Sequence, residues 1–238
     1  MTVLEAATRF TEPTRRRHVR RWLARAGAVA LGALAVWVVW FSSLLSVREV
    51  RVLGAVDVPA GSVLEAAAVP PGQPLARVDV AGVTERVAAL PRVASVEVRR
   101  GWPSVLVVVV TERTPIAVVP SGSAFAYLDA TGASFGSVRR APAGFPVVSA
   151  TTDDALQSAA AVVDALPASL RAVVAKVTAG THDDVVLTLT SGPTVRWGSV
   201  EQSDRKAAVL AALLRVKAAS YDVSAPDLPT STGSSPAR

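Results

Sequence analysis

The chain has 238 residues, half of them hydrophobic, no cysteine and a formal net charge of +6. The missing cysteine excludes a disulfide framework, thiolate chemistry and most structural zinc sites. The charge is uneven: residues 1–25 hold seven Arg and two Glu, leaving the rest nearly neutral, which argues against a nucleic-acid-binding face on the folded part.

Residues 1–25 read as a loose basic tail, with Arg15, Arg16, Arg17, Arg20, Arg21 and Arg25 clustered at its end. No charge follows until Arg48, and residues 26–46 supply the ~20 apolar positions a helix needs to cross a ~30 Å hydrocarbon core. Flanking arginines are retained on the cytoplasmic side, so the bulk of the chain is expected outside the cytoplasm. Trp37, Trp40 and Phe41 suit the aromatic belt at the far interface. A signal peptide would have a shorter apolar stretch ending in small residues, and the bulky Val36–Phe41 segment argues against it. A buried core helix would usually keep one polar face.

Val47–Leu53 alternates, with Val50 and Val52 on one side and Glu49 and Arg51 on the other, as a half-buried strand does. A short helix is expected over Ser62–Ala68, with Ser62 and Glu65 as a capping box. Pro70-Pro71-Gly72 breaks the chain. Asp79 opens a second helix, with Val80, Val83, Val87 and Leu90 as its stripe and Pro91 as its stop. Ala94, Val96 and Val98 mark a strand, Gly101-Trp102-Pro103 a turn. Val105–Val110, apolar throughout, reads as a central strand buried on both faces.

Beyond Pro115, strands are expected over Ile116–Val119 and Phe125–Leu128, with turns at Pro120–Ser123 and Asp129–Gly132. Asp153 or Asp154 caps a helix running to about Leu166, with Leu156, Ala160 and Val163 inward. Val173–Thr178 is a strand, and Val185–Thr190 and Thr194–Trp197 form a hairpin around Ser191-Gly192-Pro193. Pro193 speaks against a central place there. Glu201–Lys217 is helical, with Val209, Leu210, Leu213, Leu214 and Val216 as its stripe and Lys206, Arg215 and Lys217 outside it. Ala219–Val223 is a short last strand, and the Pro/Ser/Thr-rich residues 226–238 read as a disordered tail.

No constellation for catalysis stands out. His18 belongs to the cationic tail and His182 to a turn; the pairs Asp153-Asp154 and Asp183-Asp184 have no converging partner. There is no phosphate-binding loop or His-Glu-x-x-His motif. No catalytic residue, metal ligand, cofactor or small-molecule substrate is assigned, and the expectation is a non-enzymatic binding scaffold. Its strand edges are the natural binding elements. The terminal strand at Tyr221–Ala225 and the strand Thr194–Trp197 are the two candidates.

The ordered motifs resemble one family. A basic tail, one span and then Val47-Arg-Glu-Val-Arg-Val-Leu-Gly54 resemble the start of the POTRA domain in FtsQ/DivIB cell-division proteins. Gly72-Gln-Pro-Leu75 with Val78-Asp79, Leu90-Pro-Arg-Val93 with Val96-Glu-Val-Arg-Arg100, and Trp102-Pro-Ser followed by Val109-Val-Thr-Glu-Arg-Thr-Pro-Ile-Ala117 continue it. Asp129-Ala-Thr-Gly132, Gly144-Phe-Pro146 and Asp222-Val-Ser with Pro226 resemble later landmarks.

The resemblance implies an α+β chain: one transmembrane helix, a POTRA domain (β-α-α-β-β) at 47–114, and an FtsQ-type mixed β domain with flanking helices at 115–225. It implies a septal inner-membrane scaffold that binds FtsB and FtsL and, through them, regulates the synthase pair FtsW/FtsI. By position it points to Tyr221, Asp222, Val223, Ser224 and Ala225 for taking up a partner strand, and to Glu112 for partner recruitment; Arg113 matches the motif as a structural residue. The alternative is a POTRA chaperone for membrane-protein or secretion assembly. Such proteins usually carry several POTRA units or a β-barrel, whereas this chain reads as one unit.

Overall fold

The computed structural model describes residues 14–41 and 45–233. The predicted tail at 1–13, part of the predicted span at 42–44 and the last residues, 234–238, lie outside them. The chain forms two compact units: residues up to Leu90 together with Ser95–Val110, and Pro91–Ala94 together with residues from Thr111 onward.

Helix α1 spans Thr14–Phe41, and Arg21–Trp40 is long and apolar enough to cross a membrane. None of that window is buried, which removes the core-helix reading. Residues 14–25, expected in a loose tail, are helical instead. Their Arg and Ala are strong helix formers, and the apolar helix behind them supplies the nucleus that a short tail lacks.

The first unit has a three-stranded sheet in the order β1-β3-β2, made of β1 (Glu49–Leu53), β2 (Val93–Gly101) and β3 (Val105–Glu112). β1 runs parallel to β3, from Glu49 opposite Val105 to Leu53 opposite Val109. Between β1 and β2 come α2 (Ala60–Ala67), a 3-10 turn at Leu75–Arg77, and α3 (Val80–Ala88). The predicted strand-helix-helix-strand-strand order holds. Asp79 caps α3 by accepting from the Gly82 N–H at 3.0 Å, and Val83 and Val87 face the core.

Two expectations fail in this unit. The helix α2 starts after Pro59, and no side chain caps it; Ser62 lies inside the helix. Proline preorganises the entry to a helix, so the turn begins before the apparent capping box. β3 is central, but only one face is covered: Leu106, Val108 and Val110 are buried, whereas Val105, Val107 and Val109 are half-exposed. Its apolar run overstated its burial. The core formed by Leu106, Val108, Val63, Leu75, Val83 and Val87 is sealed from water, each side chain contributing roughly 1.5–3 kcal/mol of transfer free energy. Two arginines brace it by donating to backbone carbonyls. Arg86 Nη2 donates to Ala67 O at 2.7 Å, at the end of α2. Arg100 donates through Nε to Leu75 O at 3.0 Å and through Nη2 to Val78 O at 2.8 Å.

The second unit carries one mixed sheet, ordered β12-β11-β10-β9-β8-β7-β4-β5-β6 among the described residues. Its strands are β4 (Ala117–Ser121), β5 (Ala124–Leu128), β6 (Ser134–Val138), β7 (Val147–Ala150), β8 (Val174–Ala179), β9 (Val185–Leu189), β10 (Thr194–Gly198), β11 (Ser220–Asp222) and β12 (Thr230–Thr232). Helices α4 (Asp153–Ala165), α5 (Ala168–Arg171) and α6 (Ser203–Leu213) complete it. α4 packs against β7, β8 and β9. Its Ala155, Ala159, Ala160, Val162 and Val163 join Val177, Leu187, Val195 and Trp197 in the core.

Thr152, rather than Asp153 or Asp154, caps α4, its hydroxyl accepting from Ala155 N–H at 3.2 Å. The turn after β5 is built on Asp129. Its Oδ1 accepts from Thr131 N–H at 2.9 Å, Thr131 Oγ1 at 2.6 Å and Ala133 N–H at 3.0 Å, while Oδ2 takes Arg113 Nη1 at 2.5 Å. Gly132 closes the turn at φ +84°, and a Cβ there would meet Gln157 Cγ at 2.9 Å. Burial alone would push the Asp129 carboxyl up; its hydrogen bonds from Thr131, Arg113 and Ala133 outweigh that and hold it below the usual carboxylate range.

α6 also departs from its predicted face. It is shorter than Glu201–Lys217, and its buried residues are Ser203, Lys206, Ala207 and Leu210, while Val216 is exposed.

Candidate partner-binding surface

The far end of the second sheet is built by β9, β10, α6, β11 and β12. β9 and β10 form the predicted hairpin, in which Gly192 N–H donates to Leu189 O and Leu189 N–H to Pro193 O, both at 2.9 Å. The chain then crosses through α6 and returns as β11, parallel to β10. Alternation divides this end into two faces. Val185, Leu187, Leu189, Val195, Trp197, Tyr221 and Val223 are buried in the core.

Trp197 is the largest sealed side chain, and its Nε1 donates to Ser203 Oγ at 3.2 Å. Lys206 is 2% exposed, and its ammonium donates to Ser199 O at 2.8 Å. Burial lowers its pKa, with Glu201 and Asp183 acting in the opposite direction.

The opposite face is a shallow groove lined by Asp184, Val186, Thr194, Arg196, Ser220, Tyr221, Asp222, Thr230 and Thr232. Arg196 and Asp222 are direct cross-strand neighbours. Burial raises the Asp222 pKa, but hydrogen bonds from Ser224 and the Arg196 charge more than offset it, so the carboxyl sits below its ordinary value.

The sequence-derived residues therefore separate. Asp222 lines the groove, and Ser224 donates to its Oδ1 through N–H at 2.9 Å and Oγ at 2.6 Å. Ser224 and Ala225 are exposed. Tyr221 and Val223 are buried: the Tyr221 hydroxyl donates to Val216 O at 2.6 Å, and Val223 N–H donates to Arg196 O at 3.0 Å. Their side chains hold the fold and are not on display. Glu112 ends β3, half-buried, and does not line the groove.

The two predicted edges are also corrected. β10 lies between β9 and β11, and β11 is covered by β12, pairing Ser220 with Thr232, Tyr221 with Ser231 and Asp222 with Thr230. The segment expected as disordered tail thus supplies the outer strand, and all three of its residues are exposed. Sequence reasoning missed β12 because Thr-Ser-Thr sits between Pro229 and Gly233 in a stretch dominated by loop formers. The β-branched threonines were the one available signal. An exposed outer strand offers backbone N–H and C=O groups for strand addition. His182 and the acidic pairs lie on exposed turns or in the first turn of α4; His182 Nε2 is 2.8 Å from Asp183 Oδ2.

Residues 45–113 match the model of the FtsQ-type POTRA domain, and residues 117–228 that of the FtsQ/DivIB cell-division protein C-terminal domain. A cell division protein FtsQ from Streptomyces bingchenggensis is 39% identical over 218 residues, covering 86% of this chain and 82% of that protein. One from Mycolicibacterium smegmatis is 40% identical over 207 residues, covering 85% of this chain and 61% of that longer protein. Among solved structures, the major extracytoplasmic domain of the division protein DivIB from Geobacillus stearothermophilus aligns at 25% identity and a TM-score of 0.36, covering 45% of this chain and 99% of that one. Two consecutive family domains and this level of identity over most of the chain lead to one assignment: the chain belongs to the FtsQ/DivIB family of cell division proteins.

Proposed function

We propose that this chain is a non-enzymatic scaffold of the division septum, with residues 1–25 in the cytoplasm and the folded part after the span outside it. The family match over residues 45–113 and 117–228, behind one membrane-length helix with an arginine-rich start, carries the reading. The arginines favour retention of the N-terminus in the cytoplasm. Binding of FtsB and FtsL, and through them control of FtsW/FtsI, is assigned to the outer end of the second sheet. There, β12 offers an edge, and Asp222, Ser224 and Ala225 lie beside it. Glu112 remains a candidate for recruitment of an earlier or later division protein.

Depletion is expected to give filamentous or branched cells, and a fluorescent fusion to concentrate at midcell. Uniform membrane fluorescence with normal septa overturns the role. For the interface, Val223→Pro is a poor probe, because it removes a buried side chain and an N–H that holds β10. Ser231→Pro lies in an exposed strand that contributes nothing to the core; it is expected to cut recovery of FtsB and FtsL about tenfold or more, the equivalent of about 1.4 kcal/mol, with little change in melting. Undiminished recovery places the interface elsewhere.

A further inference from the structure

The chain enters its first unit through a tight clamp. Val47 N–H donates to Gln73 O at 2.9 Å, Gly72 N–H donates back to Val47 O at 3.2 Å, and Arg48 N–H donates to Ser104 O at 2.9 Å. Ser46 forms a further β-bridge with Pro74. The turn between β2 and β3, Trp102-Pro103-Ser104, is therefore fixed beside the point where the chain arrives from α1. So is the Pro70–Gly72 segment. Pro70, Pro71, Trp102 and Pro103 are all exposed, and Trp102 is 53% exposed although nothing in the core depends on it.

Length decides what lies beneath this end. α1 ends at Phe41 and the clamp begins at Val47, a separation of at most about 20 Å even for a fully extended chain. The headgroup layer is itself roughly 5–8 Å thick. A tether of that reach lets the exposed indole, with exposed prolines around it, come to the depth where tryptophan partitions best, with its ring in the apolar boundary and its N–H in water. The charge agrees. Glu49 pairs with Arg51 and Glu97 with Arg99, leaving the positive charges of Arg48 and Arg100 in excess at this end. Arg48 is exposed at the entry itself. Cations near the surface of an anionic leaflet are attracted to it within a Debye length.

We infer that the entry end of the first unit is a lipid-docking surface: Trp102, with its flanking prolines, inserts into the outer headgroup layer, and Arg48 contacts anionic headgroups. The docking rests on α1 crossing the membrane. It gives the first unit a second attachment besides the tether, which fixes its tilt on the membrane rather than leaving it to swing.

The test uses the full chain in vesicles of phosphatidylcholine and phosphatidylglycerol carrying a nitroxide either at headgroup depth or deep in the acyl chain. In the variant with Trp22, Trp37 and Trp40 changed to Phe, only Trp102 and the fully buried Trp197 emit. The shallow nitroxide is expected to quench the Trp102 emission about twofold or more, while aqueous iodide leaves it largely unchanged. Arg48→Glu, or vesicles of phosphatidylcholine alone, should weaken the quenching. A Trp102 signal that iodide quenches and the shallow nitroxide does not overturns the docking. A parallel variant, Trp102→Phe with the α1 tryptophans retained, reports the spanning itself. If the nitroxides quench those tryptophans while Trp102 stays aqueous, docking alone is wrong. If neither nitroxide reaches them, α1 does not span, and the docking falls with it.

Discussion

In the first unit the polar braces are exposed arginines that clamp backbone carbonyls, Arg86 on Ala67 and Arg100 on Leu75 and Val78. In the second unit the comparable braces include a carboxylate, Asp129, and a lysine, Lys206. Asp129 and Lys206 are buried groups whose surroundings lower their pKa values, whereas the shifted carboxyl of the first unit, Glu97, lies fully at the surface, so acid and base should act most on the second unit even though both are held by aliphatic cores. The difference also locates what each unit risks: the first depends on a few donor geometries, the second on the charge state of groups taken partly out of water.

The largest test of their independence is Trp197→Ala. The side chain is fully buried, and its loss also removes a hydrogen bond to Ser203, so about 4 kcal/mol should leave the second unit. Hydrogen exchange on the full chain in detergent should show protection collapsing over β8–β10 while β1–β3 keep theirs. Equal loss in both would make them a single cooperative body.

Asp129→Ala comes next, at about 3 kcal/mol, because Arg113, three-quarters buried, would lose its partner. The pH dependence follows from the sign of its shift. A carboxyl with a folded pKa below its unfolded value stabilises the protein fully above the unfolded value of about 4, and that contribution fades as pH falls through the folded pKa. Acid should therefore loosen the second unit before the first, and Asp129→Asn should flatten that portion of its pH profile. Arg100→Met is the counterpart in the first unit. Two carbonyls lose charged donors there, costing about 2 kcal/mol with no change in acid sensitivity.

These contrasts also show where the sequence was readable. β1, α3 and the β9–β10 hairpin were legible because each is encoded locally: by alternation, by Asp79 as a cap, by Ser191-Gly192-Pro193 as a turn. β6 was missed because Gly136 and its serines carry no strand signal, and β12 because its strand character comes from pairing with β11. For the candidate surface, the strand around Tyr221 and its inner neighbour β10 were found, but the pairing between them and the outer neighbour β12 were not. Whether a strand is an edge depends on segments far away in the chain. Period-two alternation could have separated buried Tyr221 and Val223 from presented Asp222 and Ser224, had the five residues been read as a strand with two faces.

α6 fails for a different reason, and it yields the smallest effect. Ser203, Lys206, Ala207 and Leu210 have the i, i+3, i+4, i+7 spacing of a buried face as fully as the aliphatic stripe does. The rule that charges face water chose the wrong one. Lys206 satisfies its ammonium on Ser199 O, at the cost of desolvation that lowers its pKa. A base with a lowered folded pKa works against folding while protonated, so stability should rise as pH climbs from the folded pKa toward the unfolded value of about 10.4. Lys206→Met removes the buried charge but leaves Ser199 O without its donor, and the two losses oppose each other. The net change at neutral pH should lie within about 1 kcal/mol of zero, while the alkaline rise disappears from the second unit's unfolding profile. A loss of several kcal/mol with that rise intact would mean that the hydrogen bond from the ammonium to Ser199 O outweighs its desolvation, and that the second unit resembles the first more closely than its chemistry implies.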